Sequence, residues 1–281
     1  MYSKIREILK NNQIMLSNLK SQHFLISEVI LREELIVGNV NNKDEIVEVG
    51  AGIGTLTKLL AESAKKVIAV EKDEKLIPLL KNELKDFENV EIINEDILKL
   101  DNTVFNNRKI VSNPPYHIVS PLLMNILDSK YQICVITLQL EYGNRLKTNV
   151  GSSNYSRLTV RMNYNSEVKI IHKIGKENFY PVPRVDSVLV KIEPVQPIVQ
   201  ITNKKLYFSI INELFIHKNQ LVRKVIKNKF RKLNINPEII YQFLNNLPFK
   251  EARIRNLDHP KLKEIFGYIT NNDELKIYWN I

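Results

Sequence analysis

Between Glu45 and Ile136 the chain alternates short β-branched apolar runs with stretches whose apolar residues recur at helical spacing. The runs Glu45–Gly50, Lys66–Glu71, Val90–Asp96, Lys109–Asn113 and Gln132–Thr137 predict strands, and Leu56–Ala64, Asp73–Lys85 and Val119–Asp128 predict the helices between them. Strand and helix in this rhythm build a parallel, doubly wound sheet with helices on both faces. Two later strands, Glu167–Ile174 and Ser187–Glu193, have no helix between them and predict an antiparallel edge hairpin on the same sheet. Pro194 and Pro197 then mark a boundary. Beyond it Leu206, Ile210, Ile211, Leu214 and Phe215, followed by Leu221, Val222, Val225 and Ile226, predict helices. The expected organisation is an α/β domain over residues 1–194 and a small helical domain over 195–281.

The single cysteine, Cys134, excludes a disulfide framework and a cysteine-based zinc site. Among Ile133, Val135 and Ile136 it reads as a buried strand residue. The five histidines lie far apart without ligand spacing, so no metal site is expected. Lys4, Arg6, Glu7 and Lys10 interrupt any apolar leader, and no apolar run approaches the roughly 18 residues of a membrane span. A cytoplasmic, monomeric protein without membrane contact is expected.

Net charge is +10, and it is unevenly placed. Residues 1–194 hold 26 basic and 24 acidic side chains, whereas residues 195–281 hold 15 and 7. The segment His217–Lys232 carries Lys218, Arg223, Lys224, Lys227, Lys229, Arg231 and Lys232 without one acid. On a helix with Leu221, Val222, Val225 and Ile226 as its apolar stripe, these cations cover the solvent side, which is the pattern of a phosphate-binding face. Lys218, Arg223, Lys224 and Lys227 are the candidate phosphate contacts.

Three of only eight glycines fall within five residues, in Gly50-Ala51-Gly52-Ile53-Gly54, after a strand and before a helix. That is where an open parallel sheet receives a nucleotide-like ligand. The spacing is GxGxG rather than the GxGxxG that suits a pyrophosphate, which favours S-adenosylmethionine over NAD. Glu71, 21 residues after Gly50, ends the second strand and offers a carboxylate for ribose hydroxyls. Asp96 ends the third and could accept from an adenine amine. Asn113-Pro114-Pro115-Tyr116 ends the fourth. Alone it also fits a rigid turn. After the other strand-end features it suits methylation of an exocyclic amine: the Asn113 oxygen and the Pro114 carbonyl accept the two N–H bonds, and Tyr116 stacks on the base. Phe179, in Phe179-Tyr180-Pro181-Val182-Pro183, is a candidate cover for the base's other face, a core aromatic being the plainer reading.

These residues resemble the rRNA adenine N6-dimethyltransferase family, KsgA-type members of an archaeal-like branch. The resemblance runs from about Ser21 to Lys232. It includes Gln22-His23-Phe24-Leu25, the Gly50 loop, Glu71, Asp96, Asn113–Tyr116, the residues Gln139, Glu141 and Arg145, Tyr155–Val160, Phe179–Ser187 and His217–Lys224. It implies a Rossmann-like class I S-adenosylmethionine-dependent methyltransferase domain and a small C-terminal helical domain that grips rRNA, whose phosphates Lys218, Arg223, Lys224 and Lys227 would meet. It further implies methyl transfer to the N6 of two adjacent adenosines near the 3′ end of small-subunit rRNA. By position His23, Leu25, Gly50, Glu71, Asp96 and Asn113 would border the cofactor, and Asn113, Tyr116 and Phe179 would hold the adenine. The sequence departs from the family at Pro114, where Leu is usual; at Ser21, where Gly is common; and at His23, where Asn is frequent. Two other readings stand beside this one: an Erm-type large-subunit rRNA methyltransferase, and a non-catalytic assembly or transcription factor on the same fold.

Overall fold

The computed structural model of the 281-residue chain describes residues 23–272, together with Glu7 and Trp279. Lys4, Arg6, Lys10, Ser21 and Gln22, on which parts of the sequence reading rest, lie outside the described residues. The chain divides into two compact units, Met1–Asn144 with Glu167–Pro194, and Arg145–Ser166 with Val195–Ile281.

Among the described residues the first unit has nine strands: β1 (Phe24–Leu25), β2 (Glu45–Val49), β3 (Lys66–Val70), β4 (Val90–Ile93), β5 (Lys109–Ser112), β6 (Ile133–Gln139), β7 (Ser166–Ile174), β8 (Phe179–Tyr180) and β9 (Ser187–Pro194). Seven of them form one sheet in the order β4-β3-β2-β5-β6-β9-β7. β4, β3, β2, β5 and β6 are mutually parallel, and β9 runs antiparallel to β6. Ile46, Val47, Val67, Ile68, Val70, Ile110, Val111, Cys134, Val135 and Ile136 are all buried. A parallel strand covered on both faces needs such nearly continuous apolar runs. The two strands expected as a hairpin do end the sheet together, with β9 inside and β7 at the edge.

Helices α1 (Glu28–Val37), α2 (Thr55–Ser63), α3 (Ile77–Glu83), α4 (Val119–Leu127) and α5 (Leu140–Leu146) follow in chain order. α3 is shorter than the sequence suggests. Its amphipathic pattern begins at Asp73, yet Pro78 occupies the first turn, where a missing N–H is tolerated, and residues before it form a turn. Outside the large sheet, β1 and β8 pair as a two-residue antiparallel ladder, Phe24 opposite Tyr180 and Leu25 opposite Phe179.

The strand order locates the site. From β2 the chain builds outward through β3 to β4, then returns to place β5 on the opposite side of β2. The loops leaving the carboxyl ends of β2 and β5 therefore diverge, and an open α/β sheet offers its ligand crevice at such a switch point. Those two loops carry Gly50–Gly54 and Asn113–Tyr116.

The second unit is helical: α6 (Arg157–Asn165), α7 (Lys204–Ile216), α8 (Val222–Lys232), α9 (Pro237–Asn246) and α10 (His259–Thr270). Its starts are marked by side-chain caps: Asn203 accepts from the Leu206 N–H, Asn236 from Glu238 and Asp258 from Lys261. The sequence division at residue 194 placed 145–166 in the α/β domain, whereas this segment belongs to the helical unit. The reason lies in its aromatics. Tyr155, Val160 and Tyr164 share one buried cluster with Tyr207, Phe208 and Phe215. The Tyr164 ring meets Phe208 edge-on at 5.1 Å, and His259 bridges the Tyr207 hydroxyl (2.9 Å) and the Val160 carbonyl (2.8 Å).

Candidate active site

A cavity of about 460 Å³ opens at the switch point, lined among others by His23, Phe24, Gly50, Gly52, Glu71, Asp96, Asn113 and Pro115. It thus unites the glycine loop, both strand-end acids and Asn113 and Pro115 of the Asn-Pro-Pro-Tyr motif, up to 65 residues apart in sequence, whereas Tyr116 is not among its lining residues.

Gly50, Gly52 and Gly54 take φ of +78°, +59° and +88°. Side chains are strained in that left-handed region. Space closes the question at Gly52, where an added Cβ would stand 2.6 Å from Phe24 Cε1; at Gly50 it would stand 3.0 Å from Pro115 Cδ. The loop therefore lets the β1 segment and the Asn113 motif close around bare backbone.

Glu71 is 8% exposed. Its two carboxylate oxygens accept from the backbone N–H of Gly52 (2.9 Å) and Asp73 (2.7 Å). Burial raises its pKa, and those N–H donors oppose the rise. Each oxygen keeps a lone pair for a further donor. Asp96 caps a short 3₁₀ turn through Leu98 N–H (3.0 Å) and pairs with the Lys72 ammonium at 2.8 Å. The Lys72 bond chiefly holds the Asp96 carboxyl below its usual range.

Asn113 follows β5, and one buried group sets its amide. Its Nδ2 donates to Glu34 Oε2 at 3.0 Å, while its Oδ1 is buried with no hydrogen-bond partner among the described residues. An unsatisfied buried acceptor costs about 1–3 kcal/mol, which an incoming N–H would recover. Tyr116 Oη shares a 2.7 Å hydrogen bond with Ser187 Oγ, and the His23 ring stacks on the Tyr116 ring at 6.0 Å and 26°. His23 donates from Nδ1 to the Pro181 carbonyl at 2.7 Å.

Two expected site residues stand elsewhere. Phe179 is 2% exposed and Leu25 3%, and both rings and methyls belong to the core cluster with Ile174 and Leu189 rather than to the cavity wall. The pairing of β1 with β8 explains it: alternate residues of a strand face opposite sides, so Phe24 and Tyr180 turn away from the core that Leu25 and Phe179 enter. Phe24 takes the place in the wall that sequence reasoning gave to Leu25.

In the helical unit Lys224 and Lys227 are exposed on α8, with no ion-pair partner among the described residues. Arg223 pairs with Glu251 at 2.8 Å, and Lys218 donates to the carbonyls of Ser153 and Tyr155. The four candidate cations are therefore unequal: two are free for phosphates, one is shared with an acid, and one ties down its own chain.

Sequence reasoning also missed Glu34 and Thr137. Glu33 and Glu34 look alike in sequence, yet Glu34 is fully buried, because the helical register that buries Leu31 and Leu35 carries it inward too.

A mixed sheet with this order and five parallel strands, a glycine loop after one central strand and an Asn-Pro-Pro-Tyr loop after its neighbour defines a Rossmann-like class I methyltransferase. A family model described as ribosomal RNA adenine dimethylase matches residues 17–255, and the chain belongs to that family. It is 33% identical over 274 residues to the probable ribosomal RNA small subunit methyltransferase A of Thermococcus sibiricus, covering 96% of this chain and 98% of the relative. The Pyrococcus furiosus protein of the same name is 37% identical over 251 residues, 88% of this chain and 90% of its own. Among solved structures, a dimethyladenosine transferase from Plasmodium falciparum superposes with a TM-score of 0.71 at 25% identity, over 90% of this chain and 98% of that one.

Proposed function

We propose that this chain transfers methyl groups from S-adenosylmethionine to the N6 of two adjacent adenosines near the 3′ end of small-subunit rRNA, giving N6,N6-dimethyladenosine during ribosome biogenesis. One observation carries the reading furthest: the buried Oδ1 of Asn113 lacks a partner among the described residues, in the wall of a cavity that also holds the glycine loop and Glu71. That acceptor suits an exocyclic amine. Family membership and the small-subunit names of the two archaeal relatives support the same substrate.

The residues present fit the cofactor. The Gly50 and Gly52 backbone offers a wall without side chains, Glu71 retains acceptor lone pairs for ribose hydroxyls, and Asp96 retains capacity for an adenine amine. When bound, S-adenosylmethionine supplies an electrophilic methyl group. In the first transfer Asn113 Oδ1 and the Pro114 carbonyl hold the target amine by its two N–H bonds and draw its lone pair out of conjugation with the ring; the monomethylated amine of the second transfer keeps one N–H for these acceptors. Tyr116, fixed by Ser187 and His23, presents its ring to the base. Such a stack is worth about 1–3 kcal/mol per base. The amine would take the methyl group directly as the methyl–sulfur bond breaks and S-adenosylhomocysteine leaves, and the resulting N6 ammonium would be acidic enough to pass its proton to water, so the step requires no side chain as general base. Positioning and hydrogen-bond polarisation are the protein's contribution. The base is first unstacked at a cost of a few kcal/mol, which RNA contacts offset. The cations of α8, chiefly Lys224 and Lys227, hold rRNA phosphates, with Arg223 and, before the helix, Lys218 in lesser roles.

Asn113→Ala should abolish methyl incorporation into rRNA while leaving rRNA binding intact. Full activity in that variant would sink the assignment.

A further inference from the structure

An amide side chain has two nearly isosteric ends with opposite hydrogen-bonding character, so an asparagine that must accept from a substrate amine has to be told which way to face. Asn113 Oδ1 and Nδ2 differ here by their neighbours alone. Nδ2 donates to Glu34 Oε2 at 3.0 Å, and the other oxygen of the same carboxyl, Oε1, accepts from Thr137 Oγ1 at 2.8 Å. Glu34 is on α1, Thr137 on β6 and Asn113 at the end of β5, so three elements of one unit converge on a single carboxyl. Both Glu34 and Thr137 are essentially without solvent exposure, at 0% and 1%. A buried acid in an apolar core is a destabilising choice that a leucine at this helix position would avoid. No cation among the described residues pairs with it, so a structural ion pair does not account for its presence.

Resting on the reading of the site given above, we infer that Glu34 is a positioning residue for methyl transfer: by accepting from Asn113 Nδ2 it fixes the amide so that Oδ1 is the atom left for the target amine. Thr137 performs the same service one bond further out, holding the carboxyl in the rotamer that reaches Asn113. The flipped amide would present Nδ2 to the substrate, and two N–H donors would then oppose each other. The Glu34 carboxyl also polarises the Asn113 amide in a water-poor setting, which makes Oδ1 the better acceptor. Glu33, beside it on α1, faces out to His172 at 3.0 Å and makes no such bond.

The test is a variant series assayed on 30S particles that lack the modification. Leaving the buried Asn113 Nδ2 without its acceptor predicts a loss of roughly ten- to a hundred-fold in kcat for Glu34→Leu, with KM for the particle and affinity for S-adenosylmethionine little changed. Glu34→Gln, which can still accept from Nδ2 through its own amide oxygen, recovers most of that loss. Thr137→Val keeps the side-chain shape and loses the hydroxyl, and it lowers kcat severalfold with the same pattern. Thermal unfolding and calorimetric cofactor binding accompany each variant. Undiminished kcat in both Glu34→Leu and Thr137→Val overturns the inference. So does an equal loss in Glu34→Leu and Glu34→Gln, because a merely space-filling role would not distinguish the acceptor. The proposed function fails separately: it falls if Asn113→Ala stays active, whereas an inactive Asn113→Ala beside a fully active Glu34→Leu refutes Glu34's role alone.

Discussion

Replacing Glu34 by glutamine should make the first unit more stable, and by an amount that depends on pH. Burial pushes the Glu34 pKa from 4.5 to about 8, against the lowering effect of the Thr137 and Asn113 hydrogen bonds. The folded state thus prefers the protonated acid. Below about pH 4.5 both folded and unfolded chains hold the proton and nothing is lost. Between 4.5 and 8 the unfolded chain ionises and the folded one resists, so stability falls as pH rises; above 8 the penalty is constant. At about 1.36 kcal/mol per unit, the full penalty is roughly 5 kcal/mol, of which about 4 develops between pH 5 and pH 8.5. The groups facing Glu34 do not reverse this sign. Glu33 on the same helix is acidic, and Glu48 on β2 is itself buried and pushed up to about 8, partly by Glu34. Removing the Glu34 charge relieves Glu48 as well, in the same direction. Urea unfolding followed by far-ultraviolet circular dichroism, run for both proteins across that range, gives the comparison. The glutamine variant should gain on the parent steadily from pH 5 to about pH 8 and level off by pH 8.5. A gap independent of pH would refute the assignment of a buried, proton-retaining acid, whatever its absolute size.

Two further outcomes follow from unequal environments. Lys224→Gln with Lys227→Gln should weaken rRNA binding uniformly and reduce the salt slope of log K by about 1.5 to 2 in total, measured by filter binding over a salt series; Arg223, already paired with Glu251, should add less. Phe179→Leu should lower unfolding stability by about 1–2 kcal/mol while leaving kcat near that of the parent, since the ring fills the core and not the cavity.

Much of the fold was legible because parallel strands covered on both faces announce themselves as unbroken apolar runs. β2, β3 and β5 begin at the expected residues and end one residue short of them. The site's backbone was legible for a related reason: glycine clusters and Asn-Pro-Pro carry conformational requirements that few other sequences meet. What sequence reading misplaced depends on facing. Leu25 and Phe24 are adjacent, and only the pairing with Phe179–Tyr180 decides which enters the core. Glu34 reads as half of a surface acid pair until the helix is laid on the sheet. Residues 145–166 look like a continuation of the α/β domain because their helical pattern is ordinary. Their partners, Tyr207 and His259, lie far along the chain.

The central claim is that this site dimethylates adenine in small-subunit rRNA. It is tested most directly by incubating the protein and methyl-labelled S-adenosylmethionine with separated 30S and 50S particles from cells lacking the modification, then analysing the nucleosides. N6,N6-dimethyladenosine is expected at two adjacent positions near the 3′ end of the 30S rRNA. Label confined to the 50S rRNA, or absent from both, would contradict it.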